Sequence, residues 1–287
     1  MPLSVLKDIR RIYAGLNAEK IRRAAHRDMH IGLMAASEEG YNSMEQFLVP
    51  EWLPERRRQE LMQTIHRVEG APGNHFDFIL CEPGIPVPAN GYPFDAGSPD
   101  STALAIAADQ DDLELAIARR YPRLRFAVAD NLIRRVSREN ALFALITALP
   151  NIVPSVLDLP WAAGEFATDT AFLTMNQIRM ALSLAAAHDL PVGYAEQKVQ
   201  IAAIAAGAFG WRAAARELAG KIPLGGGLIP KAAVAFAGTW AVGWGLEKLH
   251  RTGAGFSRSE RKAVYTRGLI QGRQVAREIA PAVAKQS

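Results

Sequence analysis

Lys221-Ile-Pro-Leu-Gly-Gly-Gly-Leu-Ile-Pro-Lys231 lies in the middle of a long apolar segment, residues 198–250, and decides how the second half of the chain folds. Pro223 and the run Gly225, Gly226, Gly227 break a helix arriving from residues 199–211, because proline removes a backbone donor and glycine loses the most freedom on folding. Pro230 suits the first turn of the next helix, where a missing N–H has no partner to lose. The two arms, residues 199–211 and 232–246, carry no charge. A membrane-spanning helix needs about 20 apolar residues. Arg212, Arg216, Glu217 and Lys221 close the first arm short of that length, and Lys231 opens the second. Gly207 and Gly210, then Ala237, Ala241 and Gly245 at four-residue spacing, let helix backbones approach closely, so the pattern predicts a tight helical hairpin. A glycine-rich turn feeding a helix start also suits an anion, through free backbone N–H groups. Lys221, Gly225, Gly226, Gly227 and Lys231 are therefore a candidate anion or interaction site, beside the plainer reading of a hinge. They lack Walker spacing.

Upstream, the periodicity predicts a helix over residues 168–187 with Phe172, Met175, Ile178, Leu182 and Ala185 on one side. Thr174, Asn176, Gln177 and Arg179 form a polar cluster in this otherwise apolar helix and need internal partners. The expected place for those partners is beside Gly225 to Gly227. Glu165 and Asp169 read as solvated acids at the helix start. Over residues 122–147 a stripe of Phe126, Ala129, Ile133, Val136, Asn140, Phe143 and Thr147 predicts one long amphipathic helix, with Asn140 bonded to a neighbouring helix.

Leu173-Thr174-Met175-Asn176-Gln177, Ile222-Pro223 with its glycines, and Ala235-Phe236-Ala237-Gly238-Thr239-Trp240-Ala241-Val242-Gly243 together resemble the YcjF-like helical family that accompanies bacterial Era-type GTPases. Met175 stands where that pattern has a lysine. The resemblance covers the C-terminal half of the chain. It implies a helical domain at or in the inner membrane, adjacent or fused to a GTPase, with no established activity and no catalytic residue to carry over.

The front half suggests a relic of the same association. Residues 30–36 read as a buried strand followed by a loop and a helix, the order of a phosphate-binding loop. Laid on that pattern, Ala35 stands for the first glycine and Gly40 for the second. Tyr41 replaces the lysine and Asn42 the magnesium-binding hydroxyl, and Glu38 and Glu39 repel phosphate, so this degenerate P-loop should not hold a nucleotide. A second strand over residues 75–81 ends in Cys81-Glu82-Pro83-Gly84, with Cys81 where a GTPase carries aspartate. Residues 54–68 read as a charged helix and 83–99, with five prolines, as an irregular loop. Residues 102–108 read as a third strand, and Asp111-Asp112-Leu113-Glu114 as the cap of a helix to Tyr121. No guanine-recognition motif follows.

At 287 residues and 49% hydrophobic content the chain has material for one large or two modest cores. One cysteine, Cys81, excludes an intramolecular disulfide and a cysteine-built zinc site and fits a reducing compartment. Residues 1–16 have no apolar run of signal-peptide length, so no export signal is expected. The net charge of +4 is uneven: residues 69–118 carry only acids, whereas basic residues dominate from Lys248 onward. A basic tail after an apolar hairpin suits an anionic leaflet. His26 and His30 straddle a helix end and do not make a metal pair.

The expected fold is α+β: a small three-layer α/β part with a short, mostly parallel sheet, followed by an all-α helical bundle with a Gly-rich apolar hairpin. The expected domains are basic N-terminal helices over 1–28, a degenerate GTPase-like α/β domain over 29–121 and a helical YcjF-like domain over 122–287. The expected function is a non-enzymatic, membrane-associated or GTPase-associated interaction module on the cytoplasmic side of the inner membrane. Its partner is the inner-membrane lipid surface or a GTPase, with homo-oligomerisation compatible, and with no cofactor, metal or nucleic acid. Two alternatives stand beside it: a cytoplasmic, self-associating scaffold that binds a GTPase partner, and an unconventional nucleotide-binding enzyme.

Overall fold

Ile31-Gly32-Leu33-Met34 forms β1 (Ile31–Met34), an inner strand of a four-stranded parallel sheet. The structure, a computed structural model, describes residues 17–70, 75–147, 169–207 and 228–284. Strands β2 (Ile65–Arg67) and β3 (Phe78–Cys81) flank β1, and β4 (Gly91–Pro93) closes the edge, in the order β2-β1-β3-β4. Ile31 lies beside Ile65 on one side and Phe78 on the other, and Cys81 between Met34 and Pro93. The described chain is α+β and divides into two compact units: a front unit of Glu19–Asn131 with Ala186–Leu190, and a rear unit of Leu132–Ala185 with the residues from Pro191 onward.

The front unit holds α1 (Ala18–Ala25), α2 (Glu38–Leu48), α3 (Glu55–Met62), α4 (Pro99–Asp109) and α5 (Glu114–Arg120). Successive strand residues face opposite sides. Ile31, Leu33, Phe78 and Leu80 join one large core with Met44 and Phe47 of α2, Leu61 of α3, Ile106 of α4 and Ile117 of α5. Ile79 and Cys81 face the other way, into a small cluster with Val68 and Phe76.

Four expectations are corrected here. Residues 102–108 are the middle of helix α4, not a strand. Pro99 and Asp100 suit a helix start, and Thr102, Ala103, Ile106 and Ala107 are buried at helical rather than alternating spacing. The charged helix ends at Met62, and Ile65–Arg67 leaves it to become β2. The proline-rich loop contains β4, where Pro93 is tolerated because the strand is an edge. The capping box at 111–114 is not made: the cap of α5 is Leu113 with no side-chain bond, and Glu114 is buried, 8% exposed.

In the rear unit the regular elements among the described residues are helices. They comprise the latter part of α6 (Pro122–Ile146), most of α7 (Asp169–Ala187), a helical run over 198–207, α8 (Leu228–Thr252) and α9 (Arg258–Ala284). Of the expected stripe on α6, Ala129, Ile133, Val136 and Asn140 are buried. Phe126 is 55% exposed, because the front end of α6 buries Leu124, Ala127 and Val128 instead, and neighbouring residues point about 100° apart. α7 is buried nearly all round rather than on one side.

The hairpin of the described structure joins α8 to α9. Gly253, at φ +74, ends α8 by donating its N–H to the Leu249 carbonyl at 2.8 Å. Ser257 and Glu260 then form a capping box: the Ser257 N–H donates to Glu260 Oε2 at 2.8 Å and the Glu260 N–H to Ser257 Oγ at 3.2 Å. Further along, the helices touch through backbone. A Cβ on Gly272 would stand 2.8 Å from the Ala233 carbonyl oxygen and 3.0 Å from its Cα, and one on Gly268 3.0 Å from the Ala237 Cα. Gly268 and Gly272 on one helix and Ala233 and Ala237 on the other are the small residues four apart that allow this approach. The bend at 221–227 expected to join the two arms lies outside the described residues. No described helix is long and apolar enough to cross a membrane.

Gly272→Val should therefore force α8 and α9 apart and destabilise the fold by roughly 1–3 kcal/mol, read as a lowered midpoint in thermal or urea unfolding. A second expectation concerns acid. Lys248, bonded at 2.7 Å, and then the Ser257 N–H hold the Glu260 carboxyl down to about 2. Unfolded, it titrates near roughly 4.3. As pH falls below that value the unfolded state takes up a proton that the folded state refuses, so this stabilisation is complete above about pH 5 and fades toward pH 2. The difference in melting temperature between wild type and Glu260→Gln should stay constant from neutral pH to about 5 and shrink on further acidification.

Candidate functional site

The sheet order places a topological switch between β1 and β3, since the chain leaves β1 toward β2 on one side and returns to β3 on the other. In open parallel sheets the crevice at the carboxyl ends of such strands is where ligands bind. Here it is built from Ala35-Ala36-Ser37 after β1, the first turn of α2, and Glu82 after β3.

Ser37 caps α2, its Oγ accepting the Gly40 N–H at 2.9 Å. The free N–H groups before α2 would suit an anion, and an anion is already there. Glu82 Oε2 accepts the Ala36 N–H at 2.6 Å and the Ser37 N–H at 3.0 Å, and Oε1 accepts the Ser37 hydroxyl at 2.6 Å. These bonds, from the Ser37 hydroxyl first and then the Ser37 and Ala36 N–H groups, hold the Glu82 carboxyl below the usual carboxylate range. It stays ionised at neutral pH and is a poor proton donor. A Cβ on Gly40 would collide with this carboxyl, so the helix start accommodates Glu82 only because residue 40 is glycine.

Two of the other positions laid on the phosphate-loop pattern, Ala35 and Tyr41, pack against the core, with Tyr41 under the Arg67 guanidinium at 4.4 Å, while Asn42 is exposed. Arg67 also pairs with Glu38 at 2.6 Å. Beneath the crevice, burial pushes the Cys81 thiol up, so it is no nucleophile at neutral pH. Sequence reasoning missed Glu82. Its only signal was an acid directly following an apolar strand.

The rear unit holds the second concentration of polar groups. Asn140 of α6 donates through Nδ2 to Thr239 Oγ1 of α8 at 2.8 Å and to the Leu173 carbonyl of α7 at 3.3 Å. Its Oδ1 accepts from Asn176 Nδ2 at 2.8 Å. Gln177 Nε2 donates to the same Thr239 hydroxyl at 3.1 Å, and that hydroxyl donates onward to the Ala235 carbonyl at 3.0 Å. All these side chains are buried. Arg179 pairs with Glu139 of α6 at 2.8 Å, and Thr174 is buried in α7.

The structure thus brings Asn176 and Gln177 together with Asn140 and Thr239. Asn176 and Gln177 have partners on α6 and α8, and Gly225 to Gly227, beside which partners are expected, lie outside the described residues. Of the candidate anion site, Lys231 is half-buried on α8 with Nζ 3.4 Å from Thr147 Oγ1, and Lys221, Gly225, Gly226 and Gly227 lie outside the described residues. No three His, Cys, Asp or Glu side chains converge on a metal-sized site among the described residues. No protein-family model matches the chain, and neither a curated protein nor a solved structure matches it.

The Glu82 geometry makes a prediction with a change of sign. Gly40→Ala should destabilise the wild-type protein, because the methyl displaces a bonded carboxylate. In a Glu82→Ala background the same change should stabilise by roughly 0.5–1 kcal/mol, the ordinary helix preference of alanine over glycine. A double-mutant cycle of unfolding midpoints checks it.

Proposed function

We propose that this protein is a non-enzymatic interaction module that works at an anionic membrane surface on the cytoplasmic side of the inner membrane, its front unit a pseudo-GTPase that binds no nucleotide. The observation that carries the reading is Glu82. A carboxylate with three hydrogen bonds fills the crevice where a phosphate would sit, and a negative charge fixed there repels a second. No lysine or hydroxyl of the phosphate-loop pattern stands beside it, since Tyr41 and Asn42 hold those places.

The membrane half of the reading is supported by α9. At about 3.6 residues per turn, Lys262, Ile270, Arg273 and Arg277 share one exposed face, with Ile270 65% exposed among the cations. A helix face of this kind lies on anionic headgroups rather than across the bilayer. A second reading, a scaffold that docks on a GTPase partner or on another copy of the chain, is favoured by Trp240. It is 6% exposed and stacked on Phe236 at 5.8 Å, so α8 is wrapped by protein at that point.

Two measurements test the proposal. Calorimetric titration of the full chain with GTP or ATP and magnesium should give no heat. Flotation with vesicles should show association that rises with phosphatidylglycerol content, vanishes in high salt and weakens roughly tenfold or more in Arg273→Glu/Arg277→Glu, at about 1 kcal/mol per cation. Magnesium-dependent nucleotide heat would remove the pseudo-GTPase half. Indifference to vesicles at every composition would remove the membrane half and leave the scaffold.

A further inference from the structure

The rear unit contains a pocket of about 460 Å³ whose walls are Gly238, Ala241 and Val242 of α8, Tyr265 of α9 and Gly207. Gln177, one end of the buried polar network, also lines it. The size is that of a small-ligand site. Lower down, Gly268 and Gly272 of α9 meet the backbone of α8 directly. At the pocket the residues of α8 are Gly238, Ala241 and Val242, small and apolar.

Arg258, Arg261 and Lys262 also line the pocket. Arg261 and Lys262 lie three and four residues after Arg258 and so flank it at the start of α9, next to Tyr265. All three are exposed, and none is in a salt bridge among the described residues. Arg261 reaches only the Phe256 carbonyl, at 3.5 Å.

Their position works against the helix. Cations in a first turn face the positive end of the macrodipole, and three adjacent like charges repel one another. The neighbouring acid, Glu260, is committed to Lys248 and to the Ser257 cap. Glu260 is the acid of this first turn and is already engaged, and an anion seated on the three cations would relieve both penalties further.

We propose that this pocket binds one molecule of an anionic phospholipid, its phosphate on Arg258, Arg261 and Lys262 and part of an acyl chain between α8 and Tyr265. The inference rests on the membrane reading above and names the lipid chemistry that reading requires. Free phosphate would use the cations and leave the hydrocarbon walls wet. A zwitterionic lipid would fill the walls and bring no net charge to the cations. The two features together select a ligand with both parts.

The test is calorimetric titration of the full chain with dihexanoyl phosphatidic acid below its micelle concentration, set against dihexanoyl phosphatidylcholine and inorganic phosphate. Phosphatidic acid should bind at least about tenfold more tightly than either control. Arg258→Ala/Arg261→Ala/Lys262→Ala, confined to exposed side chains, should weaken it on the order of a hundredfold. Ala241→Leu fills the pocket and should abolish phosphatidic acid binding while leaving the thermal midpoint unchanged or raised.

Equal affinity for phosphate and phosphatidic acid would reduce the site to an anion patch and overturn the proposal, as would equal affinity for the two lipids. So would wild-type binding by a folded Ala241→Leu variant. Flotation separates this inference from the reading beneath it. Vesicle association without monomeric phosphatidic acid binding sinks the pocket alone. Selective phosphatidic acid binding without vesicle association supports the pocket and sinks the membrane reading.

Discussion

The Thr239 hydroxyl has one proton and two lone pairs, and the rear unit is arranged so that all three are used. The proton goes to the Ala235 carbonyl one turn back, and the lone pairs take the Asn140 and Gln177 amides from two other helices. In a low-dielectric interior a donor left unmade costs about 1–3 kcal/mol, so α6, α7 and α8 meet at one depth and one rotation. That rotation sets everything else on α8. Gly243 turns toward Ile133 and Met180, and Ala233 and Ala237 turn toward Gly268 and Gly272. A helix apolar all round is either buried on all sides or in lipid. Here the first explanation accounts for much of it, because α8 has packing seams on two sides.

The front unit obeys the same rule with different groups. Free N–H groups before α2 need an acceptor, from water or from the protein. Glu82 accepts from them, and the parallel sheet supplies it from the neighbouring strand end. In this crevice the acceptor is covalently part of the protein. The front centre is closed on itself, whereas in the rear network the Asn176 side-chain oxygen is buried without a partner and Gln177 reaches the pocket wall.

Some of this was legible in the sequence and some was not, and the division follows the range of the interactions. Helices α6 and α7 are legible because apolar spacing over about five to seven turns is hard to mistake. Asn140 and Asn176 were visible as polar residues that would need partners. The short strands were poorly legible: β2 and β4 are three residues each, too short to display a period of two, and α4 was mistaken for a strand because a brief apolar run fits either reading. Phe126 was placed inward because the stripe was extended past the point where α6 changes the face it buries.

What the sequence alone determined was the set of local obligations: where helices begin and break, which residues must find a hydrogen bond, where small side chains permit close approach. Those are settled within one or two turns of the chain. Only the tertiary structure decided who meets them. Glu82 answers Ser37 across 45 residues and Thr239 answers Asn140 across 99, and α9 rather than the helical run at 198–207 supplies the glycines for α8. A donor's need is a property of its own residue, but its partner is fixed by how the chain packs, and every carboxylate or hydroxyl in the sequence is an equal candidate until the backbone brings one within about 3 Å.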